Sequence, residues 1–173
     1  MPDEKNIVLI GMPTSGKSTV GVIVAKMLGM DFIDTDIVLQ KREGHKLREI
    51  IEKQGIEAFL NKEERAVLSI TAKHSVIATG GSVVYSDTAM NHLSENATII
   101  YLKIELPELK KRLTDVRGRG VVLHRGESLE KMFASRAALY ERYCDFAVDE
   151  TGTIEDTVRT VIEVFSDEKE EPC

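Results

Sequence analysis

The 173-residue sequence predicts an α/β fold of three layers, with helices on both faces of a parallel five-stranded sheet. Two observations carry that expectation. Five short apolar runs alternate along the chain with segments of helical period, the order that winds a parallel sheet. The first run, Asn6–Ile10, opens directly into Gly11-Met-Pro-Thr-Ser-Gly16-Lys17-Ser18, which fits G-x-x-x-x-G-K-[ST] at every fixed position and precedes an amphipathic segment. Strand, glycine-rich turn and helix in that order form a phosphate-binding loop. At this length a single domain spanning 1–173 is expected.

Asn6–Ile10 is apolar without alternation, as a strand covered on both faces requires. A helix follows from Lys17 to Leu28, with Val20, Val22, Ile23, Ala25, Met27 and Leu28 apolar and Gly29 as its stop. The second strand, Met30–Ile33, ends at Asp34-Thr35-Asp36. Helical segments over 37–43, 47–53 and 56–72 come next; the last offers Phe59, Ala66, Val67 and Ile70 to an inner face. The strand Ser75–Thr79 ends in Gly80-Gly81-Ser82, a turn that lets backbone approach a ligand. A short helix over 87–93, the strand Thr98–Leu102 and a helix over 105–113 with Pro107 in its first turn continue the alternation. Residues 114–126 break it with three glycines, three arginines and no period, so a mobile lid is expected over about 114–127. A helix over 129–143, a last strand at 146–148 and a closing helix over 154–165 complete the fold, and 166–173 reads as a flexible tail.

A net charge of −6 and a pI near 5.3 give no global attraction to nucleic acid or to an anionic membrane, so any anion site must be built locally. Cys144 and Cys173 stand in no metal or redox spacing, which suits a reduced compartment. The charged N-terminus leads into a strand and shows no signal peptide, and no stretch is long and apolar enough to span a bilayer. The cytoplasm is the expected location, with a small molecule as partner and a monomer as the working form.

In a loop of this kind the glycines turn backbone N–H groups toward phosphate oxygens, Lys17 reaches the β and γ phosphates, and the Ser18 hydroxyl holds Mg²⁺. Gly11, Thr14, Ser15, Gly16, Lys17, Ser18 and Thr19 form the nucleotide-binding set. Either Asp34 or Asp36 could hold Mg²⁺ through water while the other orients or deprotonates an acceptor hydroxyl; the pair could equally end a strand and cap the next helix. Arg117, Arg119 and Arg125 could close over phosphates or form a solvated basic loop. Arg136 could clamp an acidic substrate or form an ordinary helix pair with Glu141 or a neighbour. Phosphate cradle, paired carboxylates, glycine turn and arginine-rich loop together suit phosphoryl transfer, which needs positioning and charge neutralisation more than covalent chemistry.

The chain resembles shikimate kinases, small members of the nucleoside-monophosphate-kinase branch of phosphate-loop proteins. The likeness runs through Gly11–Val20, Phe32-Ile-Asp-Thr-Asp36, Gly55-Ile-Glu-Ala-Phe59 with Glu63 behind it, Ala78-Thr-Gly-Gly81, Arg119 and Arg136-Ala-Ala-Leu-Tyr-Glu141. The resemblance implies that Lys17 and Ser18 serve ATP and Mg²⁺, that Asp34 supports the metal, and that Asp36 binds the reacting hydroxyl and acts as base. It further implies that Gly80 and Gly81 meet the acceptor, Gly81 through its backbone N–H, that Arg119 is the lid arginine, that Arg136 grips a carboxylate, and that Arg112 stacks on adenine.

Departures from the family pattern concentrate on the acceptor side. Leu60 stands where the family carries a second arginine on the substrate carboxylate, Ser82 replaces the third glycine of a triplet, and the lid reads Arg119-Gly120-Val121-Val122 in place of Arg-Pro-Leu-Leu. Thr14 and Ser15 replace smaller loop residues. A charge-assisted hydrogen bond to a buried carboxylate is worth about 1.5–3 kcal/mol. Losing one weakens shikimate binding about ten- to hundredfold. Shikimate is nevertheless the favoured acceptor, with another small alcohol or hydroxy acid next. A nucleotide-binding regulator without transfer activity and a nucleoside monophosphate kinase are the remaining alternatives.

Overall fold

The computed structural model of the chain describes residues 4–115 and 122–170. Strand β1 (Asn6–Gly11) is buried along its whole length. Side chains alternate across a strand, so β1 divides between two cores: Val8 and Ile10 enter one, Ile7 and Leu9 the other. The strands β2 (Asp31–Asp34), β3 (Ser75–Ala78), β4 (Ala97–Lys103) and β5 (Phe146–Asp149) complete a sheet in the order β2-β3-β1-β4-β5 with every pair parallel. This is the expected three-layer α/β/α arrangement.

Helices α1 (Lys17–Leu28) and α7 (Ile154–Glu170) cover the Ile7/Leu9 face through Val20, Val24, Val161 and Phe165. On the opposite face α3 (Leu47–Leu68), α4 (Asp87–Ser94), α5 (Leu106–Asp115) and α6 (Leu129–Tyr143) contribute Val67, Met90, Leu109 and Met132. The remaining helix, α2 (Thr35–Glu43), packs with α3 on a smaller cluster of Leu39, Ile50, Phe59, Ala66 and Val122. In parallel sheets ligands bind beyond the carboxyl ends of the strands. The order β2-β3-β1 places the ends of three neighbouring strands together, where the chain continues into Asp34-Thr35-Asp36, Thr79-Gly80-Gly81 and the loop from Gly11.

Three differences from the sequence expectation go beyond a shift of one or two residues. The two helical segments expected after Leu47 form one element interrupted at Gly55, whose φ of 82° and ψ of 171° are non-helical. That element stops at Leu68 and not at residue 72, because the Ser69 hydroxyl donates to the Ala66 carbonyl (2.6 Å) and closes the last turn. Residues 166–170, expected as tail, continue α7: Glu168 accepts hydrogen bonds from Lys5 Nζ (2.5 Å) and from the Thr98 hydroxyl, which ties the helix end to the sheet. Residues 171–173, the end of that expected tail, lie outside the described residues.

Candidate active site

The phosphate loop is built on backbone conformations that side chains resist. Gly11, Thr14 and Gly16 have φ of 151°, 68° and 74°. A Cβ on Gly11 would lie 2.6 Å from the Leu102 carbonyl oxygen, so the strand can turn into the loop only with glycine there. Gly16 caps α1 without a side chain, which leaves first-turn N–H groups for an anion. Lys17 is 7% exposed and its ammonium donates to the carbonyls of Gly11 (2.9 Å) and Met12 (2.7 Å) and to Ser15 Oγ (3.2 Å). Burial holds its pKa down to about 8, opposed by the charge of Asp36. The Thr14 hydroxyl is buried without a hydrogen-bond partner among the described residues, an unmet polar group in a cradle that suits phosphate oxygens.

Asp34 caps the next helix, as one of its two sequence readings has it, and keeps its other oxygen on Ser18. Its Oδ1 caps α2, accepting from the backbone N–H of Asp36 (2.9 Å) and Ile37 (3.3 Å), while Oδ2 accepts from the Ser18 hydroxyl at 2.6 Å. A hydroxyl and a carboxylate oxygen side by side are hard donors that fit Mg²⁺, an ion commonly held by one or two carboxylates plus phosphates and water. Among the described residues no group of three or more His, Cys, Asp or Glu could hold a metal ion, so phosphate and water oxygens would have to complete the shell.

A cavity of about 830 Å³ runs from this loop to the buried guanidinium of Arg136. Arg136, 1% exposed, donates from Nη2 to the Val122 carbonyl (2.5 Å) and from Nε to the Tyr85 hydroxyl (3.1 Å), and lies over the Tyr85 ring. The helical pairing with Glu141 is not formed; that carboxylate is 3.5 Å from Lys103. Gly80 and Gly81 separate the two ends. A Cβ on Gly80 would meet Glu63 Oε1 at 2.3 Å and Asp36 Oδ1 at 2.9 Å, and one on Gly81 would meet Pro13 Cδ at 3.0 Å and Arg136 Nη1 at 3.2 Å. Tyr140 fixes the turn by donating to the Gly81 carbonyl (2.5 Å).

Of the residues expected at the site, Thr14, Gly16, Lys17, Ser18, Thr19, Asp34, Asp36, Gly80, Gly81, Ser82 and Arg136 all line this cavity. Gly11 and Ser15 lie buried in the loop. Arg112 stands outside the cavity and braces the loop, with Nη1 donating to the Thr14 carbonyl (3.0 Å) and to Glu150 (2.8 Å). Leu60, expected in the acceptor wall, is turned away from the cavity: one step round the helix from Phe59, it packs on the α2–α3 cluster and faces a second cavity of about 140 Å³. Arg125 is exposed in the turn after Leu123 and lines neither cavity. Arg117, Arg119 and Gly120, within residues 116–121 of the expected lid, lie outside the described residues, whereas Val122 is buried against Arg136.

One residue of consequence was not read as functional. Glu63, 4% exposed, accepts from the Ser82 hydroxyl through Oε2 (2.6 Å), and its Oε1 has no partner among the described residues. Burial pushes its pKa up to about 7, against the Ser82 hydrogen bond and with the repulsion of Asp36. Its place four residues after Phe59 and three before Ala66 put it in the apolar stripe of α3, which is the signal that marks it.

The sequence profile of the family described as shikimate kinase matches residues 13–166. The chain belongs to the shikimate kinase family. A shikimate kinase of Thermodesulfovibrio yellowstonii is 38% identical over 165 residues, covering 93% of this chain and 95% of that protein. A solved shikimate kinase from Aquifex aeolicus superposes with a TM-score of 0.81 at 27% identity, covering 95% of this chain and 98% of that one. One from Acinetobacter baumannii in complex with shikimate gives a TM-score of 0.83 at 24% identity with 96% of each chain covered, a likeness of fold. Membership makes this chain an ATP-dependent small-molecule kinase, which sets aside the regulator without transfer activity.

Proposed function

We propose that this chain transfers the γ-phosphoryl group of ATP to a hydroxyl of shikimate, with Mg²⁺ held at Ser18 and Asp34. The observation that carries the reading is a single cavity with the phosphate loop at one end, Arg136 at the other and Asp36 between them. Lys17 neutralises the phosphates, Arg136 holds the acceptor carboxylate, and the Gly81 N–H orients the acceptor. The acceptor O–H gives its proton to the Asp36 carboxylate as oxygen forms a bond to the γ-phosphorus and the bond to the ADP oxygen breaks. When bound, Mg²⁺ supplies charge neutralisation on the phosphate oxygens. Arg119 is the lid arginine of this scheme, and Arg112, braced by Glu108 and Glu150, is the residue on the adenine. Among the described residues no helix is long and apolar enough to cross a membrane; the working form we propose is a cytoplasmic monomer whose partner is a small molecule.

The support for shikimate is family membership and the relatives named after that acceptor. A second reading, another small hydroxy acid, is favoured by Leu60, which removes one expected carboxylate contact. A coupled ADP-release assay over a panel of hydroxylated acids decides between them. Shikimate-dependent release is expected; none at any shikimate concentration, with release on another acid, would overturn the shikimate reading and leave the kinase.

A further inference from the structure

Arg136, the carboxylate clamp of the proposed function, is 1% exposed and forms no ion pair among the described residues. A buried guanidinium without a counter-ion is costly unless neutral groups satisfy its N–H donors. Here those groups are the Val122 carbonyl on Nη2 and the Tyr85 hydroxyl on Nε, and the centroid of the Tyr85 ring lies 5.1 Å from Cζ. The negative face of an aromatic ring attracts a cation without neutralising it. The charge of Arg136 is therefore held in place and left unspent.

Tyr85 reaches Arg136 from behind. It lines the smaller cavity of about 140 Å³ and not the acceptor cavity, so it acts on an acceptor only through Arg136. Its own place is fixed. Val83–Tyr85 form a 3₁₀ turn whose Val83 and Val84 are buried in the core, with the Tyr85 N–H donating to the Ser82 carbonyl (3.0 Å) and the Ser86 N–H to the Val83 carbonyl (3.0 Å). The His124 ring meets the Tyr85 ring edge-on at 5.8 Å between centroids. The donors of an arginine are fixed in one plane, so a carboxylate grips it along the Nε–Nη2 edge or across the Nη1–Nη2 end. Tyr85 on Nε closes the edge. Nη1 makes no hydrogen bond among the described residues and lies beside Gly81, on the wall of the acceptor cavity.

We infer that Tyr85 is a positioning residue for acceptor specificity: its hydroxyl and ring keep Arg136 buried, cationic and free of a protein carboxylate, with the Nη1–Nη2 end offered to the carboxylate of the acceptor. The inference rests on the proposed function, in which Arg136 takes that carboxylate. Tyr85→Phe keeps the ring and removes the hydroxyl, which leaves Nε buried without its acceptor. Tyr85→Leu removes the ring face as well. Both changes act on the grip of an anionic acceptor and leave the phosphate loop untouched.

The test is kcat and KM at saturating ATP for shikimate and for its methyl ester, which offers no anion, in the wild type, Tyr85→Phe and Tyr85→Leu. Where the ester is not turned over, its Ki against shikimate takes the place of its KM. Tyr85→Phe should raise the KM for shikimate about tenfold and Tyr85→Leu about a hundredfold, the worth of one and then two contacts to a buried charge. The value of kcat should stay within about threefold, because the clamp serves ground state and transition state alike. The constant for the ester should hardly differ among the three proteins. A merely structural loss would lower kcat through the active fraction and move both acceptors alike. An unchanged KM for shikimate in the variants, equal rises for acid and ester, or a fall in kcat at constant KM overturns the proposal. Should Tyr85→Leu fail to fold, Tyr85→Phe, which loses one hydroxyl of a half-buried ring, decides by the same outcomes. Absent ADP release with shikimate in the wild type overturns the proposed function itself, and is told apart because it precedes any comparison of variants.

Discussion

Replacing Glu63 by glutamine in the free protein should remove the part of the pH dependence of stability that this one group sets. The carboxyl titrates at 4.5 when unfolded and is pushed up to about 7 when folded. It therefore binds its proton more tightly in the folded state: the stabilisation is complete below 4.5 and is lost as pH rises toward about 7. At 1.36 kcal/mol per unit the loss is about 3 kcal/mol, a large part of the stability of an ordinary domain. Glutamine keeps the shape, still accepts from Ser82 and has nothing to ionise. Urea unfolding of both proteins at about pH 4.5 and about pH 8 isolates the group, because other titrations cancel in the difference. With a slope of about 2 kcal/mol per molar, the variant should gain about 1.5 M in midpoint over the wild type between the two pH values. An equal difference at both would refute the claim that Glu63 is buried without sufficient counter-charge.

Asp36→Asn should lower the transfer rate by about a hundred- to ten-thousandfold with ATP affinity nearly unchanged, read by single-turnover transfer and nucleotide titration; comparable rates would remove its role as base. Leu60→Arg should lower the KM for shikimate about ten- to hundredfold, provided the longer side chain reaches the cavity that Leu60 itself does not line; no change would mean that the acceptor contacts lie elsewhere. Gly80→Ala should abolish transfer while the fold persists, since its Cβ would lie 2.3 Å from Glu63 Oε1 and 2.9 Å from Asp36 Oδ1, and circular dichroism with the coupled assay separates the two effects. The KM for ATP should rise above about pH 8 as Lys17 loses its proton, and Lys17→Ala should raise it at every pH and flatten that dependence.

Much of this was legible in the sequence. The continuous apolar run of β1 announced a strand buried on both faces, and Gly11–Ser18 announced the loop, because those features depend on residues adjacent in the chain. The convergence of Asp34, Asp36 and Gly80 followed from parallel order, which brings strand ends to one edge. What depends on long-range packing was not legible. The extension of α7 is held by Glu168 reaching Lys5 and Thr98, contacts no local pattern shows. Leu60 was placed by its motif and not by its helical angle, which turns it from the cavity that Phe59 lines. Glu63 sat in an apolar stripe, yet only the packing of α2, α3 and the Gly80 turn reveals that its Oε1 has no partner among the described residues.

The most direct measurement of the central claim is a phosphorus NMR spectrum of the product formed from ATP, Mg²⁺ and shikimate by the wild-type chain. The cavity that joins the phosphate loop to Asp36 and Arg136 predicts a phosphomonoester signal coupled to a shikimate ring proton, rising in step with ADP. ADP with inorganic phosphate alone, or ATP unchanged, would contradict it.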